Sequence, residues 1–326
     1  MNNDKWVQTS TAESVRATCE RIVAEIERAI VGKREVIEHV LTAFLAGGHV
    51  LLEDLPGLGK TMMAKSLATA LGLTFKRIQF TPDLLPADIT GGYLYNRKTE
   101  EFVLRKGPVF ANFLLADEIN RASPRTQSAL LEAMQERHVT IEGDTITLPD
   151  PFAVVATQNP IEYEGTFPLP EAQLDRFMVR LSVGYPSSEA EQQILSMRRE
   201  RKIPEVTIHP VVGSGDIFAM REAIENIHLA SEIGGYIVAL AKATREDRRV
   251  AVGASPRGAL ALQDLSRAHA AIQGRPYVIP DDVKRFAHSA LAHRLVLIPE
   301  LWTERGAADT IVRSIVDSTP VPVISE

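Results

Sequence analysis

The run Glu53-Asp54-Leu55-Pro56-Gly57-Leu58-Gly59-Lys60-Thr61 sets two glycines immediately before a lysine and a threonine. Glycine accepts the left-handed backbone angles that aim successive N–H groups at one point, and a helix starting there adds its positive end. Such a loop cradles phosphate, with Lys60 placed for the β- and γ-phosphates and Thr61 offering its hydroxyl to Mg²⁺. Farther on, Asn112-Phe113-Leu114-Leu115-Ala116-Asp117-Glu118 is an apolar run ending in two adjacent carboxylates. Acids at the end of a buried strand are costly unless a cation meets them. Asp117 is read as a partner of hydrated Mg²⁺ and Glu118 as the group polarising an attacking water. In Val154-Val155-Ala156-Thr157-Gln158-Asn159-Pro160 a third apolar run ends in polar residues. Parallel strands open their C-terminal ends on one edge, which places Asn159 near the γ-phosphate, able to orient water without adding charge. Together these runs predict binding and hydrolysis of a nucleoside triphosphate with Mg²⁺.

One position departs from the usual pattern. Asp54 stands where the opening glycine of a phosphate loop is ordinarily found; Asp tolerates unusual backbone angles better than most residues, but the departure leaves the pattern incomplete. Two arginines add cations. Arg176, in Ala172-Gln173-Leu174-Asp175-Arg176-Phe177, closes a short helix and also suits a surface pair with Asp175 or Glu171. Arg257, in Gly253-Ala254-Ser255-Pro256-Arg257-Gly258, falls in the first turn of a helix, where the positive helix end disfavours a cation unless an anion is bound.

These groups need a scaffold. Val50-Leu51-Leu52, Phe75 to Phe80, Phe113 to Ala116, Phe152 to Ala156 and Met178 to Val183 read as strands, and Thr61 to Leu71 as the helix leaving the loop. Helical spacing also runs from Glu13 to Ile30 and from Glu35 to Ala46, and Ser123-Pro124 opens a helix to about Glu136. Strands alternating with helices predict an α/β fold with a five-stranded, mainly parallel sheet. Ile89 to Lys106 and His138 to Leu148 carry turn residues between strand-like runs and are read as hairpins. After Gly184-Tyr185-Pro186 the pattern turns helical, opening with a capping box of Ser188 and Glu191. It continues over Asp216–Asn226, Ser231–Arg245, Pro256–Ile272, Pro280–Leu295 and Asp309–Val316, with a loose tail from Ser318. The expected division is a nucleotide-binding domain over 1–186 and an all-helical domain over 187–326.

With 36 basic and 42 acidic residues the formal charge is −6, which supplies no general attraction for nucleic acid. The first hairpin carries Arg97, Lys98, Arg105 and Lys106 against Glu100 and Glu101, and the second sets Arg137 against Glu142 and Asp144; neither is the strongly cationic element a DNA-tracking hairpin needs. The single Cys19 rules out an intramolecular disulfide and suits a reducing compartment. Met1 to Thr11 is polar, and Val40 to Leu52 is broken by Gly47-Gly48-His49, so neither a secretory signal nor membrane insertion is expected and the location is taken as cytoplasmic.

The ordered set of Val31-Gly32, the phosphate loop, Ala116-Asp117-Glu118-Ile119-Asn120-Arg121, Ala156-Thr157-Gln158-Asn159-Pro160, Pro168-Leu169-Pro170-Glu171-Ala172-Gln173-Leu174-Asp175-Arg176-Phe177 and Ser255-Pro256-Arg257 resembles the AAA+ ATPases, and among them the MoxR family. That resemblance covers about Val31 through Leu295 and implies a P-loop ATPase core followed by a helical lid. It implies ATP and Mg²⁺ as cofactors, with Val31, Gly32, Pro56, Gly57, Leu58, Gly59, Lys60, Thr61 and Met62 around the nucleotide and Thr61 and Asp117 at the metal. It further implies Glu118, Asn159, Arg176 and Arg257 as the catalytic set: Asn159 as sensor 1, Arg257 as sensor 2 acting in its own subunit, and Arg176 as the arginine finger acting on a neighbour, with Arg180 and Arg121 as alternatives. A ring, usually of six subunits, is implied, as is chaperone-like remodelling or activation of a protein complex, often with a partner bearing a von Willebrand factor A domain. A DNA-directed ATPase and a non-hydrolysing nucleotide switch are the alternatives.

Overall fold

The computed structural model describes residues 11–55, 57–159, 165–203, 206–304 and 306–323. Pro56, Pro160 and the polar N-terminus up to residue 10 lie outside the described residues, as does the end of the expected tail. The elements run α1 (Ala12–Glu27), α2 (Arg34–Leu45), β1 (Val50–Glu53), α3 (Lys60–Ala70), β2 (Phe75–Gln79), α4 (Pro86–Thr90), β3 (Gly91–Asn96), β4 (Glu101–Lys106), β5 (Phe113–Asp117), α5 (Pro124–Glu136), β6 (His138–Ile141), β7 (Asp144–Thr147), β8 (Ala153–Gln158), α6 (Glu171–Leu174) and β9 (Val179–Leu181). There follow α7 (Ser188–Arg201), α8 (Ser214–Glu225), α9 (Ser231–Glu246), β10 (Val250–Val252), α10 (Pro256–Ile272), α11 (Pro280–Leu291), β11 (Val296–Leu297) and α12 (Ala307–Ser318).

The five expected strands form one parallel sheet in the order β2-β5-β8-β1-β9. Successive strand residues point to opposite faces, so each central strand feeds two cores. Val50, Leu52, Phe113, Leu115, Ala153 and Val155 join a cluster with α1, α2 and α3; Leu51, Leu114, Ala116, Val154 and Ala156 join another with α5. This two-sided burial is why the central strands read as unbroken apolar runs. The first cluster extends into the C-terminal helices, where Ile217, Ile233, Leu262, Phe286 and Ile311 all belong to it. Thus α1 and α2 are covered by α8 and α10, and one apolar core runs across the expected division between 186 and 187.

Several local expectations are adjusted. Pro86–Thr90 is a short helix, fixed by Pro86 in its first turn and by the Leu85 amide donating to Asp88 Oδ2 (2.9 Å), so the first hairpin begins at Gly91 rather than Ile89. Its base is a backbone crossing: a Cβ on Gly91 would lie 2.1 Å from the Arg105 carbonyl oxygen. The cap of α7 is Ser187, whose Oγ accepts from the Ala190 amide (3.2 Å), and not Ser188. The C-terminal region is helical as expected, with one short antiparallel ribbon of β10 and β11 added.

Arg294 ties this region to the sheet. Its buried guanidinium donates to Asp175 Oδ1 (2.7 Å) and to the carbonyls of Phe177 (2.8 Å) and Ala290, and burial pushes its pKa down. His49, entering β1, is a second buried anchor. Its Nδ1 accepts from the Val154 amide (3.0 Å) and its Nε2 donates to the Met134 carbonyl (3.1 Å), an arrangement that only the neutral ring satisfies. Burial, with Arg137 nearby, pushes its pKa down to about 3. The unfolded chain takes up this proton near the ordinary histidine value of about 6.5, so stability is full above that pH and falls as pH drops toward the folded value, by about 1.4 kcal/mol per unit. We expect unfolding free energy, measured by urea titration, to decline between pH 6 and pH 4 more steeply in the wild type than in His49→Gln; equal slopes would contradict this assignment.

Candidate functional site

The sheet order explains how distant sequence runs meet. β8 lies between β1 and β5, so its C-terminal end separates the phosphate loop from the acid pair, with Glu53 opposite Gln158 and Gln79 opposite Asp117 in register. Gly57 and Gly59 take positive φ (84° and 80°), and a Cβ on either would point into open space. Gly59 is the N-cap of α3, which begins at Lys60. A cavity of about 380 Å³ is lined by Gly57–Met62 from the loop, Arg77 and Gln79 from the end of β2, Asp117 and Glu118 after β5, and Asn159 after β8. Lys60, Thr61, Asp117, Glu118 and Asn159 are therefore brought together.

Lys60 Nζ donates to the carbonyls of Asp54 (2.7 Å) and Leu55 (3.2 Å), folding back across the loop. Partial burial pushes its pKa down, while Asp54, Asp117 and Glu118 pull it back. Asp117 is nearly buried and fully engaged: Thr157 Oγ1 donates to its Oδ1 (2.6 Å), and Arg77 donates to its Oδ2 through Nε (3.0 Å) and Nη2 (2.6 Å). Glu118 has the left-handed angles φ 57° and ψ 49°, unusual for a residue with a Cβ and costing on the order of 1 kcal/mol. That turn lets its amide donate to Thr157 Oγ1 (2.8 Å), while its Oε2 accepts from Gln79 Nε2 (2.7 Å) and Arg121 Nη1 (3.1 Å). Thr157 thus sets the angle between the two acids.

Asp54 is explained differently from the expectation. Its φ is not in the left-handed region; its buried carboxylate accepts from Ser182 Oγ (2.8 Å), the Gly184 amide (3.1 Å) and the Val183 amide. It pins the chain leaving β9 to the phosphate loop, a task glycine cannot perform.

Arg176 and Arg257 lie elsewhere. Both line a separate cavity of about 260 Å³, together with His49, Arg137, Asp175 and Arg294. Asp175 does not pair with Arg176 there; it accepts from Arg294 and from Ser255 Oγ (3.2 Å) and forms an ion pair with Arg257 (3.6 Å). Arg176 Nε is buried with no hydrogen-bond partner among the described residues. Of its rivals, Arg121 bonds Glu118, and Arg180 sits between Glu53 and Asp309 at 3.4 Å from each. Val31 and Gly32 form a turn against the start of α7, where a Cβ on Gly32 would be 2.8 Å from that of Ala190. Thr61 and Met62 line a further cavity of about 480 Å³ with Ala29 and Val206–Ile208, so the first turn of α3 joins it to the phosphate cavity.

Comparison with known proteins bears on the family and the fold. Residues 49–179 match the ATPase family associated with various cellular activities, and residues 242–315 match the AAA lid domain. The chaperone MoxR1 of Mycobacterium tuberculosis is 43% identical over 94% of this chain and 83% of its own. This chain belongs to the MoxR family of AAA+ ATPases. An uncharacterised Bacillus subtilis protein, YeaC, is 51% identical over 93% of this chain and 94% of its own. A solved structure of a candidate ATPase from Cytophaga hutchinsonii superposes with a TM-score of 0.88 at 38% identity, covering 96% of this chain and 97% of its own. The MoxR-family core and lid account for the parallel sheet and the helical region, and the family supplies nucleotide as ligand. No described helix is long and apolar enough to cross a membrane.

Sequence reasoning missed Arg77, Gln79 and Thr157. A signal existed: Arg77 and Gln79 are polar residues two apart at the end of a strand, hence on one face beside the acid pair. For Asp54 we expect Asp54→Gly, which restores the usual loop residue, to lower unfolding free energy by about 3 kcal/mol because charge-assisted bonds are lost. Nucleotide affinity, measured by titration calorimetry, should fall with it; an unchanged urea midpoint would refute the anchoring role.

Proposed function

We propose that this chain hydrolyses ATP with Mg²⁺ and, as a ring, couples turnover to remodelling or activation of a protein client. The observation that carries this reading is the single polar cavity uniting Lys60, Thr61, Asp117, Glu118 and Asn159 at the C-terminal edge of the sheet. The donor set suits a magnesium–triphosphate: open glycine positions with left-handed angles, one ammonium, and hard oxygen donors from Thr61 and Asp117. Bound Mg²⁺ would neutralise charge on the β- and γ-oxygens. Lys60 leaves its loop carbonyls to pair with the phosphates, Thr61 and Asp117 hold the metal, and the amides of Gly57–Thr61 bind phosphate oxygens. Glu118 accepts the proton of the attacking water, and Asn159 orients that water. The cavity along α3 supports a place for the base against Met62; Val31 and Gly32 are not among its lining residues.

Arg176 and Arg257 share a cavity apart from their own subunit's phosphate loop, which supports Arg176 acting on a neighbour's nucleotide; Arg257 is kept as sensor 2. A second subunit is needed in this reading, and a ring of six is what membership of the family implies. Protein is favoured over DNA as client because the β3–β4 hairpin exposes Leu94, Tyr95, Phe102 and Val103. An apolar, aromatic surface suits polypeptide, and a relative bears the name chaperone. A von Willebrand factor A domain protein is the partner we would seek first.

Lys60→Ala should abolish ATP binding in calorimetry, whereas Glu118→Gln should bind ATP and lose about 10²- to 10⁴-fold in phosphate release. Near-normal turnover by Glu118→Gln would remove it from the base role. Mixing Arg176→Ala with wild-type subunits should depress activity out of proportion to the mutant fraction, since an arginine acting in trans contributes on the order of 10³-fold. A linear decline would place each site within one subunit.

A further inference from the structure

Arg77 lies outside the residue runs on which the family resemblance was read, yet it makes three side-chain hydrogen bonds in the phosphate cavity, as many as Asp117. It rises from β2 beside Gln79, one strand away from the acid pair on β5. Its Nη2 donates both to Asp117 Oδ2 (2.6 Å) and to Gln79 Oε1 (2.6 Å), and Gln79 Nε2 donates onward to Glu118 Oε2 (2.7 Å). A continuous chain of bonds therefore runs from the acid that holds the metal to the acid that activates water, with Arg77 at its head.

Both oxygens of Asp117 already accept hydrogen bonds, so a divalent cation arriving there competes with the donors in place. Its Oδ1 is taken by Thr157, which is buried and also fixes the Glu118 amide; its Oδ2 is taken by Arg77, whose side chain is 47% exposed. Of the two partners only the arginine can swing into solvent without opening the core. Opposite charge at Asp117 is supplied by Arg77 until another cation competes for it, and a guanidinium that yields would also withdraw the partner that orients Gln79. Glu118 would then be left with Arg121 alone.

Resting on the ATPase reading above, we infer that Arg77 is a positioning residue that competes with the divalent cation for Asp117 and, through Gln79, keeps Glu118 held until the cation has arrived. Activation of water is thereby tied to occupation of the metal site rather than to nucleotide alone.

The test is a Mg²⁺ titration of binding to a non-hydrolysable ATP analogue, with the full chain as wild type, Arg77→Met and Arg77→Lys. Removing a charge-assisted competitor should lower the half-saturating Mg²⁺ concentration about tenfold in Arg77→Met, with Arg77→Lys in between, while affinity in EDTA does not rise. A purely structural arginine would weaken binding under both conditions. For the link to Glu118, a double-mutant cycle of Arg77→Met with Glu118→Gln, read as shifts in urea midpoint, should be non-additive without nucleotide and additive with the Mg²⁺–analogue complex. If the wild type binds the analogue with Mg²⁺ but Arg77→Met leaves the Mg²⁺ dependence unchanged or shifts it upward, the inference fails and the ATPase reading stands. If the cycle is additive in both conditions, the relay to Glu118 is wrong. If the wild type binds no analogue at all, both readings fall.

Discussion

Two carboxylates side by side at the end of a buried strand are the constraint around which this molecule is arranged. Asp117 and Glu118 leave β5 with solvent largely excluded, and everything that touches them supplies positive charge or a hydrogen-bond donor: Arg77 and Gln79 from β2, Thr157 from β8, Arg121 from the turn that follows. Each donor comes from a neighbouring strand or turn, so the acids can coexist only in the assembled sheet. The left-handed turn at Glu118 belongs to the same account, since it aims the amide at Thr157 and the carboxylate at the mouth of the phosphate loop.

The phosphate loop obeys a parallel logic with opposite sign. Gly57 and Gly59 hold left-handed angles with open space where a side chain would stand, and Lys60 bends back onto loop carbonyls. Such a loop holds its shape only if its start is fixed, and Asp54 does this by bonding the chain that leaves β9. The departure from the usual glycine is therefore a cross-link between the loop and the segment leading to α7. The phosphate loop on one side and the chain leading into the helical region on the other are joined through this buried carboxylate.

The second group of cations serves another boundary. Asp175 gathers Arg294, Arg257 and Ser255, drawing the first turn of α10 and the end of α11 against the segment before β9. Because Asp175 is occupied in this way, Arg176 is left beside the same cavity with its Nε unpartnered among the described residues. The helical region, moreover, packs on α1 and α2 through a core continuous with one face of the sheet. Relative movement of lid and sheet would have to pass through that shared apolar layer and through the Arg294 anchor.

Periodicity and local chemistry were sufficient to read the five strands, both hairpins, most helices and the five residues of the central cavity, because each is written in a short window: apolar runs for two-sided burial, glycines before lysine, acids at a strand end. The residues that tune the cavity were not readable in that way. Arg77 and Gln79 look like polar positions on an ordinary edge strand until β2 is seen to lie beside β5, and Thr157 looks like a strand residue until its hydroxyl is seen between two acids. The placement of Arg176 and Arg257 away from the phosphate loop likewise depended on how the helical region docks. Sequence by itself determined which groups could bind a magnesium–triphosphate. Tertiary structure decided which neighbours hold them, because strand order and helix docking are set by non-local burial that no single stretch of chain records.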